Sequence, residues 1–174
     1  MRLDFKQDDN GDNALSMVIR VGEVTSVDAA SHKAAVTFDD DDGQTSGMLP
    51  VIIPNSLENH DHCLPDIGED VLCIFLPTGT EEGFILGSFY AGNVTTPESS
   101  ADVRAVTFKD GTRLAYDRSG HKLTAAVNGD IEISASGNIR ATSSGTIELQ
   151  AAGSIAIRSG GNVTITGTNL TLGQ

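Results

Sequence analysis

The stretch GDIEISASGNIRATSSGTIELQAAGSIAIRSGGNVTI, from Gly129 to Ile165, has a glycine at every eighth residue. The third and fifth residues of each unit are aliphatic or alanine, and the seventh is small. Because side chains alternate between the two faces of an extended strand, these odd positions share one face. The repeating glycines are Gly129, Gly137, Gly145, Gly153 and Gly161, and a frame that starts at His121 extends the pattern back to give six octads.

The apolar face of the octads has to be buried, and three arrangements can be compared. A flat antiparallel meander needs a covering layer, which the remaining sequence does not supply. A single-chain triangular solenoid uses about three octads per coil, so the octads would make about two coils, too few for a stable stack. Three identical chains wound together give about six layers, with the odd positions on the three-fold axis and the glycines at the corners. We therefore expect an intertwined trimeric triple-stranded β-helix, or β-prism.

The residues expected in the trimer core are the apolar side chains at the odd positions. They are Leu123, Ala125, Val127, Ile131, Ile133, Ala135, Ile139, Ala141, Ile147, Leu149, Ala151, Ile155, Ile157, Val163 and Ile165. The last aromatic residue of the chain is Tyr116, and a narrow triangular core has no room for rings.

The segment 17–92 has five or so short runs of β-forming residues separated by turns, with no helical pattern. The valines from Val18 to Val27 indicate one strand, Asp28–Ser31 a turn, and KAAVTF the returning strand. The acidic run Asp39–Asp42 cannot enter a core and is expected at a hairpin tip. The pattern predicts an all-β module, namely a small barrel or sandwich, and a five-stranded barrel of the OB type fits the number of strands.

Charge and composition exclude several classes of function. The formal net charge is −13, and all but three of the 24 acidic residues precede residue 121. A chain of this charge repels nucleic-acid phosphates, and the first module lacks the basic groove and stacking aromatics of an oligonucleotide-binding barrel, so we expect no nucleic-acid partner. The N-terminus has no apolar segment of a signal peptide, and no apolar run reaches a membrane span of about 18 residues. We expect synthesis in a reducing cytoplasm without secretion by a signal peptide.

Metal and catalytic motifs are sparse. His60, His62 and Cys63 lie close together and are weak candidates for a metal site, but a structural zinc site needs four ligands and no second cluster follows. Cys73 lies in an apolar run and is expected to be packed in a core. No nucleophile–histidine motif, phosphate-binding loop or HExxH motif is present, so we expect no enzyme and no cofactor.

Three motifs, in order, resemble the baseplate assembly protein V family, the central spikes of contractile phage tails and related bacteriocins. They are IRVGEVTSVDAASHKAAVTF, LPDIGEDVLCIFLPTGTEEGFILGSFY and FKDGTRLAYDRSGHKLT, followed by the octads. The resemblance implies an OB-fold domain that joins the spike to the baseplate hub. It also implies a homotrimeric β-helix that pierces the host outer membrane when the sheath contracts, in a phage tail baseplate or a bacteriocin particle.

These expectations divide the chain into five segments. They are an N-terminal tail at 1–16, the OB-fold domain at 17–92, a linker at 93–105, a hairpin at 106–120 and the β-helix at 121–174. Many relatives end in a His-x-His motif that holds an apical iron, but no histidine follows His121, so the iron is not expected. A separate small tip protein is a possible partner at that end. The alternative is a trimeric tail-fibre or receptor-binding stalk, whose aromatic-rich distal domain has no counterpart in GTNLTLGQ at 167–174.

Overall fold

The computed structural model describes residues 18–39, 43–76, 82–92 and 94–171. The predicted tail at 1–16, most of the acidic hairpin tip and the last three residues lie outside these ranges. The chain divides into two units, Met1–Ala126 and Val127–Gln174. The strands of the described chain are β1 Ile19–Asp28, β2 Lys33–Phe38, β3 Gln44–Thr45, β4 Leu49–Pro50, β5 Asp70–Phe75, β6 Gly83–Ser88, β7 Val103–Thr107, β8 Arg113–Asp117 and β9 Lys122–Ala126. The predicted all-β class is confirmed.

The first six strands form one antiparallel sheet in which the pairings return to the starting strand. β1 pairs with β2 on one side and with β5 on the other, and β5 pairs with β6. β2 pairs with β4, and Val51, just after β4, forms a parallel bridge with Ile85 of β6. The Ile52 amide also donates to the Ile85 carbonyl at 2.9 Å. The order β1–β2–β4–β6–β5 therefore closes a ring of five strands, with β3 added to β2 at the edge.

The core of this sheet follows from the alternation of side chains along its strands. Val24, Val36, Val71 and Ile85 are completely buried, and they belong to one cluster with the other inward-facing residues of β1, β2, β5 and β6. Cys73 is also completely buried, as predicted, and burial raises the pKa of its thiol to about 11.

Three features of β1 shape its packing against β2: a glycine, a cation–π contact and a bulge. A Cβ on Gly22 would lie 2.4 Å from the Thr37 carbonyl oxygen, so only glycine fits at this position. The Arg20 guanidinium lies over the Phe38 ring, 3.9 Å from its centroid, which covers that end of the core with a cation–π contact. The pairing register shifts between Val24 and Ser26, where the bulge bends the strand.

The remaining three strands form a separate antiparallel sheet in the order β7–β8–β9. The predicted hairpin at Asp110-Gly111 is present: Gly111 has a φ of 88°, and the Phe108 amide donates to the Thr112 carbonyl at 2.8 Å. The sheet is larger than the predicted hairpin. β7 begins at Val103, inside the segment assigned to the linker, because Val103 pairs with Asp117. β9 occupies the first octad, where it pairs with β8.

The second unit has a different backbone. Its described residues, 127–171, belong to no strand and form no β-ladder within the chain. Between bends at residue pairs eight apart, starting with Asn128-Gly129, the described backbone has no regular secondary structure. Within the described ranges, no helix has the length and apolarity needed to cross a membrane.

Candidate functional site

Eleven exposed large hydrophobic side chains lie in the second unit, whose described part we call the octad segment (residues 127–171). Every residue in it is exposed. Ile147 exposes 56% of its surface, Ile131 66% and Leu149 73%. A contiguous apolar surface is rare on a monomer and marks an interaction site. This segment is the candidate functional surface.

The single chain does not bring the predicted trimer-core residues together. All fifteen are exposed, and no core forms among them within the described chain. Thirteen lie in the octad segment, from Val127 to Ile165, while Leu123 and Ala125 lie on β9 in the first unit. Within the described chain these side chains therefore have no cover.

The corner glycines lie where the backbone bends. The bends fall at Asn128-Gly129, Ser136-Gly137, Ser144-Gly145, Ala152-Gly153 and Gly160-Gly161, and the next bend, at Thr168, lies eight residues after Gly160. Among these corner glycines only Gly129 has a positive φ below 160°. A Cβ on Gly137, Gly153 or Gly161 would meet no atom of the same chain within 4 Å. Neither backbone strain nor packing within the chain therefore explains these glycines, in contrast to Gly22.

Two serines at the seventh position of their octads hold the corners in place. The Gly145 amide donates to Ser143 Oγ at 3.1 Å, and the Gly161 amide donates to Ser159 Oγ at the same distance. Such a side chain-to-backbone bond two residues apart fixes a turn. Sequence reasoning assigned this position only a small side chain. A signal was present, because serine at a fixed offset before a glycine favours this kind of turn.

The turn that leads into β9 is fixed by one carboxylate. Asp117 Oδ1 accepts from the amides of Ser119 at 2.9 Å and Gly120 at 3.1 Å, and from the Ser119 hydroxyl at 2.9 Å. The bond from the Gly120 amide, followed by the two from Ser119, lowers the pKa of Asp117. Asp110 fixes the preceding turn in the same way, because the Thr112 amide donates to it and lowers its pKa. These bonds stabilise the ionised carboxylates.

The chain is similar to the Spike protein of Escherichia phage P2. The two are 26% identical over 127 residues, which is 71% of this chain and 57% of that protein. The resemblance to the baseplate spike family is confirmed. The chain thus spans little more than half the length of this spike relative, and no family model matches it.

The weak metal candidates lie on the surface of the first unit. His60, His62 and Cys63 are all exposed. His62 Nδ1 lies 3.3 Å from Nδ1 of His32, a partner that the sequence did not suggest because thirty residues separate the two. The His32 and His62 rings meet edge to face, with centroids 5.0 Å apart.

This histidine pair supplies only half of a tetrahedral zinc shell. Among the described residues no group of three His, Cys, Asp or Glu side chains converges. The His32 Nε2 is buried and has no hydrogen-bond partner in the described chain, whereas a metal-binding histidine usually donates its second N–H. The geometry fits a hydrogen bond from one imidazole to the other, which ties the β1–β2 turn to the loop around His62.

Proposed function

We propose that this protein is the trimeric central spike of a contractile tail baseplate, with a structural rather than an enzymatic role. One observation carries the proposal: within the described chain the octad segment bends every eight residues, forms no β-ladder and exposes all its apolar side chains. Isolated extended strands are not stable in water, since even a two-stranded hairpin is marginal. Three chains that wind together satisfy the backbone groups and bury the apolar face.

The corner glycines support the proposal that three chains wind together. At most of these corners the backbone does not need a φ that only glycine adopts, and a Cβ would have open space within one chain. The presence of glycine there is explained if the backbone of another chain passes close to it. In a triangular β-prism each chain turns a corner at the end of every side, and there the neighbouring chain continues the layer. The glycines of the octads fall at those corners.

The first six strands support an OB-fold barrel. An OB-fold is a five-stranded, partly open Greek-key barrel, and the ring β1–β2–β4–β6–β5 has that number of strands. In the OB-fold the third and fifth strands run parallel where they close the barrel. The parallel bridge between Val51 and Ile85 stands at the corresponding place.

The outer wall of this ring supports attachment to a baseplate hub protein. Ile19, Ile74 and Phe84 pair directly across β1, β5 and β6. Ile19 exposes 53% of its surface and Val21, two residues on, exposes 49%. An apolar row on the outside of a small barrel fits a protein partner. We propose that the hub packs on this wall.

The proposed mechanism is mechanical. The hub end is fixed through the barrel, and the β-helix transmits the thrust of sheath contraction to the host outer membrane. Because backbone pairing in such a prism runs between chains, bending or unwinding it requires that bonds in all three chains break together. The name of the phage P2 relative supports a place in the virion tail, or in a related bacteriocin particle. The proposal needs no cofactor.

Light scattering on the purified chain tests the proposal. We expect a mass three times that of the 18.2 kDa chain, independent of dilution. Electron microscopy of particles made without the protein should then show baseplates that lack the central spike. A monomer in dilute solution would overturn the trimer, and complete particles with a normal spike would overturn the assignment to the baseplate.

A further inference from the structure

The three-stranded sheet β7–β9 has an exposed apolar face that the octads do not include. The register places Val106, Leu114 and Ala125 side by side across the sheet, and in the next row it places Tyr116 between Arg104 at the sheet edge and Leu123. Val106 exposes 55% of its surface and Leu114 45%. We call this set, Val106, Leu114, Tyr116, Leu123 and Ala125, the collar face.

The opposite face of the same sheet is the covered one, although its side chains, apart from Val103 at the start of β7, are small or polar. Ala115, in the middle of β8, is buried with 6% exposure, and Ala105 and Thr124 beside it are partly buried. Arg113 on this face pairs with Glu98 of the preceding segment. A half-buried antiparallel sheet normally turns its apolar side to the core and its polar side to water. In the single chain this sheet is inverted, so its apolar side needs a cover.

The register identifies what covers the collar face. Leu123 and Ala125 are the third and fifth positions of the first octad, the positions that meet the axis in the proposed trimer. In β9 they stand on the same face as Leu114 and Tyr116, to which they are paired. Leu123 and Ala125 of β9 thus belong both to the apolar face of the octads and to the collar face. If the apolar face of the octads meets copies of the same chain, the collar face meets them too.

We propose that the collar face packs against the other two copies of this chain, so that three sheets form a collar where the octads begin. The proposal rests on the trimer proposed above. It extends the subunit contact to Val106 and Leu114, which precede the repeat. The aromatic ring of Tyr116 is accommodated there because a collar of three-stranded sheets is wider than a prism with one strand per side.

Tyrosine fluorescence reports on the collar face directly. The chain has two tyrosines and no tryptophan, so Tyr90→Phe leaves Tyr116 as the sole emitter. In the single chain Tyr116 exposes 46% of its surface, which leaves it open to iodide. We expect iodide quenching of the assembled Tyr90→Phe protein to be several-fold weaker than in the unfolded chain.

Two substitutions on neighbouring residues of β7 provide the matched test. Val106→Glu places a charge on the collar face, while Thr107→Glu places the same charge on the opposite face, at another exposed position of the same strand. We expect Val106→Glu to lower the melting temperature and release monomer on dilution, and Thr107→Glu to behave as the parent protein.

The outcomes separate this inference from the proposed function. If the parent protein is a monomer, both the proposed trimer and the collar are wrong. If the parent protein is a trimer, two results together overturn the collar alone. Val106→Glu and Thr107→Glu would have the same melting temperature and release the same amount of monomer on dilution, and iodide would quench Tyr116 as strongly as in the unfolded chain. If Val106→Glu yields no soluble protein, quenching of the Tyr90→Phe trimer decides the question by itself.

Discussion

Ile147→Asp is the sharpest test of which face of the octads meets the axis. In the proposed trimer this substitution places three carboxylates around the axis, at the third position of the fourth octad. Thr146→Asp is the matched control, since its side chain leaves the same strand on the opposite face. We expect the first variant to lose the trimer and the second to keep it.

The magnitude follows from the exposure of Ile147, which is 56% in the single chain. Complete burial of an isoleucine side chain is worth about 1.5–3 kcal/mol, so covering the exposed half gives about 1–2 kcal/mol per chain and about 3–5 kcal/mol per trimer. An unpaired carboxylate taken out of water costs several kcal/mol more for each of the three ions. The loss per trimer, roughly 10–20 kcal/mol, reaches the whole stability of a typical domain, roughly 5–15 kcal/mol.

The assay is mass by light scattering across a dilution series, with a thermal melt of each variant. Ile147→Asp should scatter as a chain of 18.2 kDa, or aggregate, while Thr146→Asp stays at three times that mass. A soluble, heat-stable trimer of the Ile147→Asp chain would show that the odd positions point away from the axis. If the control dissociated instead, the two faces would be exchanged.

Three further measurements test other contacts. Gly145→Ala should lower the melting temperature of the trimer, because the new Cβ would meet the neighbouring chain. Within one chain that Cβ would meet nothing closer than Ser143 Oγ at 3.8 Å. Without a neighbouring chain the substitution would therefore raise the free energy of unfolding by about 0.4–1 kcal/mol. Asp117→Ala should lower the melting temperature at pH 7. The folded pKa of Asp117 lies below the unfolded value of 3.8, so its contribution to stability is complete above pH 3.8 and disappears as the pH falls through the folded pKa. A difference in melting temperature between parent and variant that persists in stronger acid would contradict the role of the carboxylate. At pH 8 a thiol reagent should modify only Cys63 of the native protein, and Cys73 only after unfolding, since Cys73 is buried and its pKa is about 11; rapid reaction of both would mean that the core opens.

Local signals in the sequence predicted much of the first unit. The spaced valines, the turn at Asp28–Ser31 and the KAAVTF run correspond to β1, its turn and β2, because each signal depends only on neighbouring residues. The hairpin at Asp110-Gly111 was predictable for the same reason: Gly111 supplies the positive φ that the turn requires.

Contacts between distant segments were not predictable in this way. The ring closes through Val51 and Ile85, and His32 meets His62, but no local pattern relates residues that lie thirty or more positions apart. β7 was missed at Val103 because the preceding residues are typical of a linker, and only pairing with β8 makes it a strand. The octad periodicity was visible as a pattern, but Ser143 at its corner was predicted only as a small residue, although a serine two residues before a glycine is also typical of the bond that it accepts from the Gly145 amide.

The regular bends of the octad segment bear on how a chain of this kind can change its length. If each bend marks the end of one side of a layer, inserting or deleting one residue turns every following side chain to the other face, and two residues move the bend out of its layer. Only whole octads preserve both the face and the corner. The length of such a needle would therefore vary in discrete steps of one layer, and the bend at Thr168, eight residues after Gly160, keeps to that spacing.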